Sequence, residues 1–226
     1  EVLEKLIEAF NASAENGDLC VIYGAEGKNF TFGADLKYAY ELMTQEERRY
    51  EATEYLWSWQ RLTTAMLKHP GIVIVGYHGW IVGGGFEHTL GSDIRIAAEN
   101  TRFMMPELDI GIFFSNASTR LIPQLVGLGR AKELMIMGNE FNAEEAYRIG
   151  LINRICPVDE LDSVMDQYAE KIVSKEPNAL RLAKKQLNES LSGTIDDVLY
   201  KEGVAMIETG QSEGAIQRIK AFLNMT

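Results

Sequence analysis

The sequence predicts an α/β core followed by a region made only of helices. As far as residue 157, short apolar segments rich in β-branched residues alternate with segments of helical spacing, and this alternation is typical of α/β domains. From residue 159 onward every segment has helical spacing. We therefore predict two parts, residues 1–157 and residues 158–226, the second packing on the core or on a neighbouring copy.

Length, composition and charge restrict the class of protein. The chain has 226 residues, of which 46% are hydrophobic and 24% charged, so it can bury a sizeable core and is not expected to be disordered. Its formal net charge of −11 disfavours nucleic acids and anionic membranes as partners. A local patch of Lys and Arg could still bind an anionic small molecule.

Sequence signals favour a cytoplasmic protein. No apolar run approaches the ~18 residues of a transmembrane helix, and no secretory signal is visible. Cys20 and Cys156 lie in apolar runs and are expected to be reduced thiols. Because the chain begins inside a helical pattern without an initiator Met, an organellar targeting segment before it stays open.

Helices flank the first predicted strand. Apolar residues at helical spacing predict a helix over residues 2–14, and the short apolar segment 19–23 predicts a buried strand. An apolar loop follows over residues 30–35, with Gly33 where the backbone must bend or approach another group. Helical signals resume at Leu36.

A long helix precedes the second predicted strand. Thr44 and Glu47 have the spacing of a capping box, which predicts a helix to about Leu67. Its apolar side would contain Tyr50, Leu56, Trp57, Leu62 and Met66. His69-Pro70-Gly71 ends it, and residues 72–76 form the next buried strand.

The remaining elements follow in order. Residues 80–82 lead into three glycines, and a short helix is predicted over residues 87–90. Further strands are predicted at residues 93–98, 101–105 and 151–156, and further helices at residues 118–126, 131–137, 142–150, 159–174, 178–190, 195–209 and 212–223. The helix at 142–150 starts with the box-like Asn142-Ala-Glu-Glu145.

Two glycine-containing turns are candidate sites for binding a carbonyl oxygen. Gly33 and the run Gly83-Gly84-Gly85 each follow a strand and lead into a helix, where backbone N–H groups point outward. Donors from two such loops can form an oxyanion hole. Taken singly, each turn is better explained as a tight connection that has no ligand.

Glu87 and Glu107 are the candidate catalytic carboxylates. One follows the triple glycine directly and the other follows Pro106, rather than lying on a polar helix face. Two carboxyl groups in a partly apolar site can acquire different pKa values and serve as base and acid. We expect an apolar wall around them from Phe86, Phe103, Met104, Phe113 and Phe114.

Other chemistries lack a signature. The histidines are His69, His78 and His88, and no metal-ligand spacing, nucleotide-binding glycine motif or Gly-x-Ser-x-Gly is present. No metal site is predicted. His88 is expected to be a satisfied core or surface histidine. Lys184 and Lys185 could meet phosphates, although such a run is more often a solvated helix face.

Taken together, the motifs resemble the crotonase superfamily, the enoyl-CoA hydratase/isomerase group. The matching signals occur in order over nearly the whole chain: Phe32-Gly-Ala-Asp-Leu36, His69-Pro70, Gly83-Gly-Gly-Phe-Glu87, Asp93-Ile94, Ala97-Ala-Glu99, Phe103, Pro106-Glu107-Leu-Asp-Ile-Gly111, Thr119, Leu125-Val-Gly127, Ala131-Lys-Glu-Leu134, Ala143-Glu-Glu-Ala146, Gly150-Leu-Ile-Asn153 and Ala179-Leu-Arg-Leu-Ala183.

The resemblance implies a specific fold and assembly. It implies a spiral of repeated ββα units over residues 1–157 and a C-terminal helical oligomerisation region over residues 158–226. The family's first β-hairpin is expected to precede the chain. Members usually form trimers or dimers of trimers and bind acyl-CoA thioesters. Coenzyme A is then part of the substrate, and no separate cofactor is implied.

The resemblance also assigns roles to residues. It implies an oxyanion hole made by the backbone N–H groups of Ala34 and Gly84. Glu87 would deprotonate water for attack at Cβ, and Glu107 would protonate Cα. Lys37 and Lys185 would contact coenzyme A phosphates. The full predicted binding set is Phe32, Gly33, Asp35, Leu36, Lys37, Gly83, Phe86, Phe114, Ser115, Asn116 and Lys185.

One segment departs from the family pattern. Where the family usually has Pro-Gly-x-Gly-Gly, this chain has Phe114-Ser115-Asn116-Ala117-Ser118. Side chains in place of glycines suggest a narrower, more polar pocket and a short or functionalised acyl group. An equally weighted alternative is that Asn116 or Ser118 only caps the next helix.

The predicted activity is that of an enoyl-CoA hydratase, a hydro-lyase that reversibly adds water syn across the 2,3 double bond of a 2-enoyl-CoA. Many relatives lack one or both glutamates, so the pair favours hydration. The alternatives are another crotonase activity (isomerase, decarboxylase or acyl-CoA hydrolase) and a non-catalytic CoA- or RNA-binding relative. The last would be expected to lack the glutamates or to carry a basic stripe.

Overall fold

The structure, a computed structural model, describes residues 1–225; Thr226, the last residue of the predicted helical region, lies outside them. The strands are β1 (Cys20–Tyr23), β2 (Ile72–Tyr77), β3 (Trp80–Val82), β4 (Ile94–Ala98), β5 (Arg102–Met104), β6 (Phe141–Asn142) and β7 (Arg154–Cys156). The α-helices are α1 (Val2–Asn16), α2 (Leu36–Thr44), α3 (Arg49–Lys68), α4 (Gly84–Glu87), α5 (Ser118–Val126), α6 (Leu128–Met137), α7 (Ala143–Arg148), α8 (Leu161–Val173), α9 (Pro177–Glu189), α10 (Ile195–Gly210) and α11 (Glu213–Phe222).

The strands form two sheets linked as a spiral. One sheet is parallel with the order β1-β2-β4-β7, and the other has the order β3-β5-β6, with β3 and β5 parallel. The pairs β2/β3 and β4/β5 each send one strand to each sheet. Thr31, which follows β1, makes a parallel bridge to Ile81 of β3. Helices follow each of these three turns, so the predicted ββα spiral is confirmed.

Aromatic side chains fill the space between the two sheets. Phe30, Tyr77, Phe103 and Phe141 are buried and contact one another in sequence, with ring centroids 5.4, 5.5 and 5.2 Å apart. Such pairs stabilise a core beyond the apolar area that they bury. This cluster holds the turns of the spiral at a fixed spacing, and the glycine loops extend from its edge.

The helix α8 packs against the outer face of the parallel sheet. Its residues Leu161, Val164 and Met165 join Ile74 of β2 and Ile96 of β4 in a second apolar cluster. The first helix after residue 157 is therefore packed on the sheet, and the division of the chain at 157/158 stays a prediction.

The predicted capping box at Thr44 is wrong. Thr44 is the last residue of α2, and its hydroxyl donates to the carbonyl of Tyr40 within that helix. A 3₁₀ turn over Glu46–Arg48 follows, and α3 begins at Arg49 without a side-chain cap. The motif failed because a Thr hydroxyl can also bond a carbonyl four residues back inside a helix.

The apolar side predicted for α3 is confirmed only near its C-terminal end. Leu62 and Met66 are fully buried, whereas Tyr50, Leu56 and Trp57 are exposed.

In the C-terminal helices α10 and α11, many large apolar residues are exposed. They include Ile195, Leu199, Tyr200, Met206, Ile207, Ile219 and Phe222. None of the described helices is both long and apolar enough to cross a membrane.

Short elements show smaller differences from the sequence prediction. The helix after the triple glycine begins at Gly84 rather than Glu87, and β6 was not predicted. The predicted cap at Asn142 is confirmed, because its side chain accepts from the Glu145 N–H.

A buried ion pair connects α9 to the parallel sheet. The Nζ atom of Lys184 lies 2.7 Å from Oδ2 of Asp93 and 2.9 Å from the carbonyl oxygen of Gly71. The same Asp93 oxygen accepts the N–H of Val73 at the start of β2. Lys184 is therefore part of the scaffold, and the prediction that it could meet a phosphate is wrong. Its neighbour Lys185 is exposed.

We expect Lys184→Ala to lower the free energy of unfolding by roughly 3–5 kcal/mol, because it leaves the largely buried Asp93 carboxylate, whose side chain is 16% exposed, without a counter-charge. Urea unfolding followed by circular dichroism measures the change. Lys185→Ala on the same helix is the matched control and should alter it by less than about 0.5 kcal/mol. Equal effects of the two variants would contradict a structural role for the ion pair.

Candidate active site

The two glycine-containing loops are in direct contact. Gly33 has a φ of +84°, and a Cβ added to it would lie 2.8 Å from the carbonyl oxygen of Val82 and 3.5 Å from the nitrogen of Gly84. A Cβ added to Gly85 would lie 2.9 Å from Cα of Gly33. Any side chain at either position would force the loops apart. The backbone after β1 therefore lies directly on the turn after β3, as the sequence prediction of convergent loops requires.

Two backbone donors lie at this contact. Within residues 1–225, neither the N–H of Ala34 nor that of Gly84 donates a hydrogen bond. Gly84 is the first residue of α4, where N–H groups have no partner inside the helix. Unpaired donors on adjacent loops can together bind an oxygen that gains negative charge.

The Glu87 carboxylate is buried and receives three hydrogen bonds. Its side chain belongs to α4, and the residue is only 1% exposed. The hydroxyl of Ser115 donates to Oε2 at 2.6 Å, and the N–H of Ser115 lies 3.1 Å from both oxygens. The hydroxyl of Ser118 lies 2.9 Å from Oε1 and 2.8 Å from the carbonyl oxygen of Ser115, so its single proton is shared between these two acceptors. Burial raises the pKa of Glu87, and these donors oppose the rise because they stabilise the ionised form.

The Glu107 carboxyl group lies beside the turn of Gly83, in surroundings that differ from those of Glu87. A Cβ on Gly83 would lie 2.8 Å from its Oε1, so the missing side chain makes room for this carboxyl group. Among the described residues, its Oε2 atom is buried without a hydrogen-bond partner. Burial, together with the nearby charge of Glu87, raises the pKa of Glu107 to about 7. The two acids thus differ in their surroundings and in their readiness to ionise.

His88 is a satisfied core histidine, as one of the two sequence alternatives predicted. Its Nε2 atom lies 3.1 Å from the hydroxyl of Tyr23, and its Nδ1 atom lies 3.2 Å from the carbonyl oxygen of Gly84. Burial lowers its pKa to about 4, so the ring is neutral at pH 7. A neutral imidazole bound to the Gly84 carbonyl helps to fix the orientation of that turn.

Comparison with known proteins gives the family. The profile described as Enoyl-CoA hydratase/isomerase matches residues 1–224. The chain belongs to the enoyl-CoA hydratase/isomerase family. It is 35% identical over 203 residues to a short-chain-enoyl-CoA hydratase of Clostridium acetobutylicum, covering 90% of this chain and 76% of the relative. It is 36% identical over 201 residues to a crotonyl-CoA hydratase of Syntrophomonas wolfei, covering 87% and 75%.

A solved structure has the same fold. The enoyl-CoA hydratase of Bacillus anthracis superposes with a TM-score of 0.88 at 30% identity, covering 98% of this chain and 85% of that one. The crotonase fold expected from the sequence motifs is therefore confirmed, and the comparison agrees with the spiral of strands described above.

A cleft opens next to the glycine loops of this family member. It has a volume of about 840 Å³ and is lined by both polar and aromatic side chains. The lining residues nearest the site are Thr31, Gly33, Asp35, Tyr38, Tyr55, Trp59 and His88. Neither glutamate lines this cleft, whereas Gly33 of the loop contact does. Trp59, Tyr38 and Tyr55 were not predicted as binding residues, because aromatic residues on a helix carry no separate signal.

The predicted binding residues fall into different places. Phe32, Leu36 and Lys37 are exposed around the start of α2. Asp35 caps α2 by accepting from the N–H groups of Lys37 and Tyr38. Phe86 is 1% exposed and packs on Phe103 in the core, so it supports the site from behind.

The residues predicted to form the apolar wall differ in burial, and their contact with the two glutamates stays a prediction. Phe86 and Phe103 are buried, and Phe114 packs partly buried against the core, but Phe113 is exposed. Phe113 therefore does not belong to an apolar wall within one chain.

Lys185 lies apart from the cleft. It lines a different cavity of about 770 Å³ together with Arg120, Arg181 and other residues between α3, α5 and α9. The two cavities share no lining residue. Contact of Lys185 or Lys37 with a coenzyme A phosphate stays a prediction.

The helix-cap alternative for Asn116 and Ser118 is wrong. The N-cap residue of α5 is Ala117, and no side chain caps this helix. Ser115 and Ser118 instead bond Glu87. Sequence reasoning missed this contact because nothing in the spacing of these residues links them to α4.

The described residues contain no cluster of acidic, His or Cys side chains suited to a metal ion.

We expect the Glu107→Gln variant to become more stable relative to the wild type as the pH rises. The folded-state pKa of Glu107 is about 7 against an ordinary value of 4.5, so the folded protein holds this proton more tightly than the unfolded chain. The stability contributed by this tighter proton binding is complete below pH 4.5 and is lost as the pH rises through about 7. Between pH 5 and 8, the variant should therefore gain roughly 2–3 kcal/mol of unfolding free energy relative to the wild type.

Chemical denaturation at several pH values checks this expectation. The exposed Glu99→Gln variant is the control and should follow the wild type throughout. A constant difference between Glu107→Gln and wild type from pH 5 to 8 would show that the Glu107 carboxyl group has no unusual proton affinity in the folded protein.

Proposed function

We propose that the protein is an enoyl-CoA hydratase that adds water across the 2,3 double bond of a short 2-enoyl-CoA. The observation that carries the proposal is the unequal pair of buried acids. Glu87 accepts hydrogen bonds from three donors, as suits a carboxylate. Burial raises the pKa of Glu107 to about 7, so this group can hold a proton near neutral pH. Hydration needs one base for water and one acid for carbon, and such a pair supplies both.

The proposed reaction begins with the thioester carbonyl oxygen between the N–H groups of Ala34 and Gly84. The Glu87 carboxylate takes a proton from water while the water oxygen bonds to Cβ. The π electrons of the double bond move toward the carbonyl oxygen, and the two backbone donors stabilise the resulting enolate. The enolate then takes the proton of Glu107 at Cα. Each turnover leaves Glu87 protonated and Glu107 ionised, and one proton transfer between them restores the pair.

A short acyl group is the substrate that we propose. Two of the relatives in the comparison are named as a short-chain-enoyl-CoA hydratase and a crotonyl-CoA hydratase. The polar residues of the departing segment bond Glu87 rather than offering free donors to a substrate. They therefore no longer support a functionalised acyl group.

We also propose assembly as a trimer or a dimer of trimers through the C-terminal helical region. The support is the set of exposed apolar side chains on α10 and α11, which a monomer would leave in water. Analytical ultracentrifugation decides this point, and a monomeric mass at micromolar concentration would contradict it.

We expect Glu87→Gln and Glu107→Gln each to lower kcat for hydration of crotonyl-CoA by roughly 10²–10⁴-fold, because each removes one proton-transfer group. Glu99→Gln is the exposed control and should keep wild-type activity. If either active-site variant hydrates crotonyl-CoA at the wild-type rate, the proposal is wrong. Chromatography of the products from a panel of CoA thioesters distinguishes hydration from isomerisation, decarboxylation and thioester hydrolysis.

We expect kcat/KM to fall as the pH rises through about 7 in both reaction directions. The active pair carries a single proton, and ionisation of Glu107, whose pKa is about 7, removes it. Because hydration has no net proton change, its equilibrium constant is independent of pH in this range, so the two directions must lose activity in parallel. Rates measured with crotonyl-CoA and 3-hydroxybutyryl-CoA between pH 5 and 9 test this. A kcat/KM that is flat from pH 6 to 9 would contradict the acid role of Glu107.

A further inference from the structure

The segment that hydrogen-bonds the Glu87 carboxylate is a tight turn between a 3₁₀ turn, Glu107–Ile110, and α5. Asn116 and Ala117 both have a φ of +56°, in the left-handed region that residues with side chains rarely adopt. This conformation brings the Ser115 N–H, the Ser115 hydroxyl and the Ser118 hydroxyl onto one carboxylate. A strained turn that converges on a candidate catalytic group indicates a positional requirement.

A second layer of hydrogen bonds directs the Ser115 proton. Asn116 is fully buried, and its Nδ2 atom donates to Oγ of Ser115 at 2.8 Å. Ser115 Oγ thus accepts from Asn116, and its own proton is left for Oε2 of Glu87 at 2.6 Å. The short distance is typical of a hydroxyl that donates to an ionised carboxylate.

The helix α3 holds this layer in place. The hydroxyl of Thr63 donates to Oδ1 of Asn116 at 2.9 Å, and the Asn116 N–H donates to Oε1 of Gln60 at 3.1 Å. In this arrangement the Asn116 amide presents its nitrogen to Ser115. The orientation of the Glu87 carboxylate follows from a chain of bonds that begins on α3.

The side chains that bond Glu87, and the residues behind them that bond Asn116, are uncharged. From α3 come Gln60 and Thr63, and from the turn come Ser115, Asn116 and Ser118, none of which titrates near neutral pH. Within the described part of the chain, Glu107 is the titratable partner whose charge interacts with it. His88 follows Glu87 in sequence but bonds Tyr23 and Gly84 instead.

We propose that the side-chain hydroxyls of Ser115 and Ser118 are positioning residues that fix the Glu87 carboxylate in one orientation and stabilise its negative charge. The inference rests on the proposed function, because it gives Glu87 the role of base. The hydroxyls do not touch the reacting atoms and act through Glu87. They also create the difference between the two acids, since Oε2 of Glu107 has no hydrogen-bond donor among the described residues.

The test compares Ser115→Ala, Ser118→Ala and the double variant with two controls. Ser92→Ala is the matched control, since Ser92 is also buried and its hydroxyl donates to the carbonyl oxygen of Thr89 and not to either glutamate. Ser115→Thr retains a hydroxyl at the half-buried position. Crotonyl-CoA hydration is measured as kcat, KM and the pH dependence of kcat/KM, and thermal unfolding reports on folding.

Each alanine variant should lose roughly tenfold in kcat, the effect expected for one hydrogen bond to a charged group, with KM within about twofold of wild type. The acidic limb of the pH profile should move to higher pH, because the Glu87 carboxylate loses donors. Ser115→Thr should restore most of the rate, and Ser92→Ala should keep the wild-type profile. A fall in kcat with an unmoved pH limb, or no recovery in Ser115→Thr, would overturn the inference.

A measurement without substrate separates this inference from the proposed function. Carbon-13 NMR of labelled glutamate carboxyl groups, with Glu87 assigned by its absence in Glu87→Gln, follows its titration in the free protein. The Glu87 pKa should be higher in the serine variants than in wild type, and an unchanged titration would refute the positioning role. A wild-type protein inactive on 2-enoyl-CoA thioesters would refute the proposed function while leaving the titration result intact. Ser115→Ala alone supplies the answer if the double variant does not fold.

Discussion

Two buried carboxyl groups, those of Glu87 and Glu107, interact electrostatically near the turn of Gly83, and the structure around them lowers the cost of burying two like charges. Ionising both at close range in an apolar site is strongly unfavourable. The fold makes the two unequal, with three donors on Glu87 and an unpartnered Oε2 on Glu107. Near neutral pH the pair can then carry one proton, with Glu107 as its holder. Proton transfer in the proposed reaction depends on this difference between the two acids.

The contact between the two glycine loops sets the frame for this pair. Gly83 leaves room for the Glu107 carboxyl group, while Gly33 and Gly85 allow the backbones to meet. The aromatic core positions the strands from which both loops emerge, and neutral His88 fixes the Gly84 carbonyl. A side chain at Gly33 or Gly85 would push the two loops apart, and one at Gly83 would collide with the Glu107 carboxyl group, so the backbone contact and the acid pair depend on the same turn.

Much of this arrangement could be predicted from the sequence. Alternating apolar segments and ordered motifs gave the spiral, and the placement of Glu87 and Glu107 after backbone features identified the acids. Three features could not be predicted. Thr44 satisfies a capping pattern but bonds inside its own helix. Lys184 belongs to a buried ion pair whose partner is remote in sequence. Ser115 and Ser118 meet Glu87 only through a left-handed turn, and local pattern rules describe neither side-chain direction nor long-range contact.

The most direct test of this account is infrared difference spectroscopy of the free protein near pH 6. A protonated buried carboxyl group gives a carbonyl stretch that shifts in deuterated solvent and that a carboxylate lacks. The account predicts one such band that disappears in Glu107→Gln and persists in Glu87→Gln. A band that disappears in Glu87→Gln instead, or the absence of any band assignable to either residue, would contradict the division of the pair into an ionised base and a protonated acid.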